Sequence, residues 1–123
     1  MKVTTMSKGL SEFVNDIINE LNLKSCPDND KLNLWDMAVH QIKEKNSLDG
    51  FYYDLIQSIS NEYVNKLKDI EVMRIWKETE TGMNSNYEPE NVPIDSLKFD
   101  LEEEIMYEIT SVAWSEAENH TWH

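Results

Sequence analysis

The stretch Leu97-Lys98-Phe99-Asp100-Leu101-Glu102-Glu103-Glu104-Ile105-Met106-Tyr107-Glu108-Ile109 decides how this chain folds. Leu97, Leu101, Ile105 and Ile109 recur every fourth residue, and Val112 and Ala113 carry the repeat onward. That is the spacing of an amphipathic helix. It is predicted to open at Asp95 or Ser96 and to run to about Asn119, with Phe99 and Met106 widening the apolar face. On a wheel of about 100° per residue, Asp100, Glu103, Glu104, Tyr107, Ser111, Trp114 and Glu118 lie opposite. A tryptophan and a tyrosine among carboxylates are unusual on a solvated helix back. They predict either a covering helix or an interface.

The charge around this helix is lopsided. From Glu78 to His123 there are 12 acids against a single base, Lys98, for a formal charge of −11. Residues 1–77 hold 12 acids and 10 bases, a charge of −2, which completes the total of −13. Such acidity disfavours direct binding to nucleic acid or to an anionic membrane, because both require bases to neutralise phosphate. A basic protein partner, or solubility alone, remains.

At 123 residues with 40% hydrophobic content, the chain is long enough for one domain with a core that needs neither disulfide nor metal. Three Gly and three Pro leave room for long helices. Cys26 is the only cysteine, so no intrachain disulfide can form, and a reducing compartment fits best. Met1 to Gly9 is polar with no unbroken apolar run behind it, so no signal peptide is expected. No stretch approaches the roughly 18 apolar residues of a membrane span. A cytoplasmic location is expected.

Upstream, Leu10, Phe13, Val14, Ile17, Ile18 and Leu21 mark a first helix from Ser7 or Ser11 to Leu23, stopped by Pro27. A second is expected after the cap cluster Asp28-Asn29-Asp30. It would bury Leu32, Trp35, Ala38, Val39 and Ile42, turn Met37, His40 and Glu44 outward, and end near Lys45-Asn46. Ser47 reads as the cap of a third, with Asp49 in its first turn and Leu48, Phe51, Tyr52, Leu55, Ile59, Tyr63, Leu67 and Ile70 on its buried side. Tyr53 and Val64 fall on its outer face, and the pattern continues through Met73 to Trp76 as one helix, or as two joined near Lys68-Asp69. An irregular acidic loop, about 78–94, follows. The expected fold is all-α, a single domain of four to five helices with one long acidic loop before the last helix.

Asp100, Glu104 and Glu108 follow one helix edge about 6 Å apart, a repeat set by the helix rise. A DNA strand carries one charge per roughly 3.4 Å of axis, so one edge reaches about half that density. Glu103, Glu118 and the loop acids Glu78, Glu80, Glu88 and Glu90 would raise it. Against this stands the plainer reading, an acidic solvated face or one paired with the bases of residues 1–77. Tyr53, Tyr107 and Trp114 read as contact anchors or as packing, including packing in a homodimer. Glu116, His120 and His123 have a helical spacing that zinc tolerates, but the run is terminal, and no metal or cofactor is expected. His40 and Cys26 lack the partners that catalysis needs, and phosphate-binding glycine loops are absent, so no enzyme is expected.

Two stretches carry a resemblance. Phe51-Tyr52-Tyr53-Asp54-Leu55-Ile56-Gln57-Ser58-Ile59 and Ala113-Trp114-Ser115-Glu116-Ala117-Glu118 resemble segments of the small, acidic, all-helical Ocr-type antirestriction proteins of phages. In that type, a helix opening with paired tyrosines leads through an acidic connection to a last helix bearing Trp, Glu and Ala. The resemblance spans roughly Leu48 to Glu118. It implies a stoichiometric inhibitor, often dimeric, that mimics DNA in the groove of a basic nucleic-acid-binding host defence protein. An anti-CRISPR protein would have the same physical signature. Unlike that type, residues 1–77 are nearly neutral here, which would confine mimicry to the C-terminal face and the acidic loop. The rival readings are an immunity or antitoxin-type protein masking a basic toxin, and a generic acidic interaction module.

Overall fold

In the computed structural model, which describes residues 9–27 and 29–119, the chain is mostly helical. α1 spans Leu10–Leu23 and buries Leu10, Phe13, Val14, Ile17 and Leu21, the stripe its periodicity predicts. Its first turn is satisfied partly from far along the chain, since the Leu10 N–H donates to Glu78 Oε1 at 3.0 Å.

The next segment departs from expectation. β1, Ser25–Cys26, pairs antiparallel with β2, Asn29–Asn33, where a helix start was predicted. Asp28 lies outside the described residues, and the helix is capped instead by Asn33, whose side chain accepts the Asp36 N–H at 2.7 Å. α2 therefore runs Leu34–Lys45 and buries Leu34, Trp35, Ala38, Val39, Gln41 and Ile42. Leu32 stays behind in β2, and Met37, expected outside, is half-buried against the core. Asn46 ends the helix in the left-handed region at φ 60°, which asparagine tolerates.

Asp49, rather than Ser47, caps α3, Gly50–Asn65, by accepting the Phe51 N–H at 3.3 Å. The buried stripe of α3 is Tyr52, Ile56, Ser60 and Val64. Val64, expected on the outer face, is 0% exposed, whereas Phe51 and Ile70, expected inside, are exposed. Within α3 the reason is Ser60, which is fully buried and donates its hydroxyl to the Ile56 carbonyl at 2.9 Å, whereas Ile70 lies beyond the end of α3. A buried polar residue that binds its own helix is invisible to a count of apolar positions.

The chain bends after Asn65, and α4 runs Asp69–Trp76, so the long third pattern is two helices. Val72, Ile75 and Trp76 face inward. The expected loop is also partly ordered, with a short α5 at Glu80–Asn84 and a 3-10 turn at Pro89–Asn91. Thr79 fixes α5 by donating to the Trp76 carbonyl at 2.7 Å and accepting the Gly82 N–H at 3.0 Å. Gly82 is required there, since a Cβ would lie 1.9 Å from the Trp76 carbonyl oxygen. The split of the third pattern and the ordering of α5 bring the described residues to six α-helices.

α6, Ile94–Asn119, packs against α1, α2, α3 and α4. It contributes Leu97, Leu101, Ile105, Met106, Ile109, Ala113 and Ala117 to one hydrophobic cluster that draws on all five of these helices. Phe99 and Val112, expected on the apolar face, are exposed.

Candidate functional site

The carboxylates of α6 differ in burial and in what they hold. Asp100 is engaged by the fold, because its Oδ2 accepts the Trp76 Nε1–H at 3.1 Å. Glu116 does the same for Trp35, at 3.1 and 3.2 Å to its two oxygens. Both indoles are almost fully buried, so each would be left without an acceptor if its acid were removed.

Glu104 and Glu108, one turn apart, are half-buried and turn toward the starts of α1 and α5. Burial holds the Glu104 carboxyl above the ordinary carboxylate range, and the neighbouring Glu108 charge pushes it the same way. The Glu80 backbone N–H, hydrogen-bonded to Glu104, partly offsets this. Glu78 and Glu108 both line a hollow with Leu10, Ser11 and Val14, where Glu78 caps α1. The fold thus gathers Glu78, Glu80, Glu104 and Glu108 at helix starts, where partial positive charge favours carboxylates. The predicted edge of Asp100, Glu104 and Glu108 is not a free row of charges.

A second face remains open. Phe99, Glu103, Tyr107, Trp114 and Glu118 are all exposed and fall within an arc of about 100° on the helical wheel. From Phe99 to Glu118 this stripe is about 29 Å long at the helix rise. Tyr107 is 67% exposed, Phe99 58% and Trp114 37%. Opposite its first half stands α3, and between them lies a cleft of about 350 Å³ lined by Tyr53, Gln57, Phe99, Glu102, Glu103, Met106, Tyr107 and Thr110. The structure therefore brings together Tyr53, Glu103 and Tyr107, three residues read from the sequence as outward-facing.

Phe99 and Glu102 complete this cleft and were not foreseen in it. Its hydrophobicity alone points Phe99 to the core, although it stands one turn before Glu103 on the same face. Burial raises the Glu102 carboxyl pKa above its ordinary value, and Lys98, one turn earlier, partly counters the shift. Thr110 has its hydroxyl engaged with the Met106 and Tyr107 carbonyls at 2.9 and 3.0 Å.

Trp114 and Glu118 sit apart, in a shallower hollow with Ile42, Lys43, Asn46 and Ala117 at the end of α2. Glu88 and Glu90 are exposed around the 3-10 turn. Cys26 is buried beside the Tyr52 hydroxyl at 3.5 Å, and His120 and His123 lie outside the described residues. Among the described residues, no three His, Cys, Asp or Glu side chains are grouped to hold a metal ion. No helix among them is long and apolar enough to cross a membrane. Comparison with protein-family models, curated proteins and solved structures finds no match.

Proposed function

We propose that the protein is a non-catalytic acidic inhibitor of the phage or mobile-element type. In this reading the chain acts as one unit in the host cytoplasm, without a cofactor, and blocks a nucleic-acid-binding defence protein, a restriction enzyme or a CRISPR effector, by mimicking DNA. The observation that carries it is the outward face of α6, where Glu103 and Glu118 alternate with Phe99, Tyr107 and Trp114 on the segment that holds 12 acids and one base. Glu80, Glu88 and Glu90 extend the negative field beyond the helix. Glu104 and Glu108 add charge from its flank, and Asp100 and Glu78 serve the fold as well. Rigid carboxylates on a helix suit a channel built for phosphates, and the aromatic rings supply contact area that charge alone does not.

The test is competition. The protein should displace duplex DNA from the defence nuclease it inhibits, with an affinity that falls steeply between low and high salt. A ternary complex that retains DNA would overturn the reading. The cleft beside Tyr53 favours a second reading, an immunity-type protein masking one basic toxin by shape, in which affinity would be nearly independent of salt.

A further inference from the structure

The cleft between α3 and α6 has the chemistry of a cation site that no acidic stripe alone would supply. Tyr53 on one wall faces a wall bearing Phe99 and Tyr107, and all three rings are exposed. Glu102 and Glu103 stand at its rim, the buried Met106 closes its base, and no base is among the lining residues. Lys98 is the one cation of α6, and its charge acts on Glu102.

We infer that this cleft is an arginine-binding notch, in which a guanidinium from a basic partner protein lies against the Tyr53 and Tyr107 rings and pairs with the Glu103 carboxylate. This deepens the inhibitor reading, on which it rests, by naming the side chain that the surface takes. A guanidinium is planar, stacks on aromatic faces and offers paired N–H donors that match a carboxylate, whereas an ammonium is a compact and strongly hydrated point charge. The half-buried Glu102 carboxyl, disfavoured by burial, gains a counter-charge when the notch fills. A second copy of the chain is a poor occupant, because its net charge is −13 and its single arginine, Arg74, is half-buried.

The experiment titrates the isotope-labelled chain with capped hexa-arginine and, separately, with hexalysine, following ring and backbone resonances. Hexa-arginine should shift Tyr53, Phe99, Tyr107 and residues 102–107 and should bind several-fold more tightly than hexalysine. Tyr107→Ala and Glu103→Gln should each weaken binding about tenfold, the loss expected of an aromatic or charged anchor. Tyr107→Phe should bind like the parent, and Glu44→Gln, exposed on α2 and outside the cleft, should change little. Helical circular dichroism that matches the parent would assign these losses to the notch rather than to unfolding. Shifts confined to the acids near α5, equal affinity for the two peptides, or dimerisation through the same residues without peptide would overturn the inference. DNA displacement that survives Tyr107→Ala would sink the notch and leave mimicry standing. A notch that binds arginine in a chain that never displaces DNA would do the reverse.

Discussion

Trp76 and Trp35 are almost wholly buried, yet each carries an indole N–H that needs an acceptor, and α6 supplies both through Asp100 and Glu116. Asp100→Ala should therefore destabilise the fold, at a cost of about 1–3 kcal/mol for the stranded donor. Asp100→Asn keeps an acceptor oxygen and should cost less. Urea unfolding monitored by tryptophan fluorescence checks both, and equal midpoints for the parent and the alanine variant would remove Asp100 from the fold. By contrast, Glu103→Lys should leave the midpoint unchanged, because Glu103 is exposed and has no such duty. Reversing Asp100 is thus a poor probe of binding. Its role was not legible in the sequence, because a helical wheel places it on the polar side and its partner lies 24 residues earlier.

At the scale of the element, α6 explains what its sequence could and could not reveal. Leu97, Leu101, Ile105, Ile109, Ala113 and Ala117 step by four residues, so the buried line drifts by about 40° per step on the wheel. Over the helix it turns through about 200°, and no fixed face is apolar along its whole length. Trp76 of α4 meets α6 near its start, and Trp35 of α2 meets it near its end. That drift is why Phe99 and Val112 are exposed although both are hydrophobic. The existence of the long helices was legible because apolar residues recur every three or four positions in each. The β1–β2 hairpin was not, since Ser25-Cys26 and Asn29–Asn33 show no strand alternation, and α5 was hidden because Thr79 and Gly82 act through the Trp76 backbone. The Glu104–Glu108 pair yields a prediction on this element. Folding raises the Glu104 pKa, so the native chain holds that proton more tightly than the unfolded chain. This group's unfavourable contribution is complete above the raised native value and fades as pH falls toward the ordinary value of 4.5. Glu104→Gln should then stabilise the protein at neutral pH by about 0.2–0.5 kcal/mol, the cost of a like-charge pair one turn apart. Thermal melts should show the gain at neutral pH and its loss by about pH 3, where the parent carboxyl is protonated in both states. A gain that persists in acid would assign the effect to packing.

Across the whole molecule, most of the negative charge lies outside the aromatic cleft. Residues 78–123 hold −11 of the total −13, but the aromatic cleft involves only Glu102 and Glu103 among their 12 acids. Glu88 and Glu90 lie outside the cleft, are exposed, and have no cation within their own segment from Glu78 to Pro93. On the proposed inhibitor function, charges so placed would act at a distance, guiding a basic partner toward the surface before any contact forms. Neutralising both, as Glu88→Gln with Glu90→Gln, should slow association with the proposed nuclease target several-fold at low salt and leave dissociation unchanged. The difference should vanish above about 0.5 M salt, where the screening length falls well below the roughly 10 Å it has at 0.1 M. Glu103→Gln should show the opposite division, with association little altered and dissociation faster, because its carboxylate would be lost from the contact itself. Stopped-flow or surface-based kinetics across a salt series separates the two. If the Glu88 and Glu90 pair governs dissociation instead, the segment between α5 and α6 is part of the contact, and the bound surface extends from the α3–α6 cleft across the start of α6.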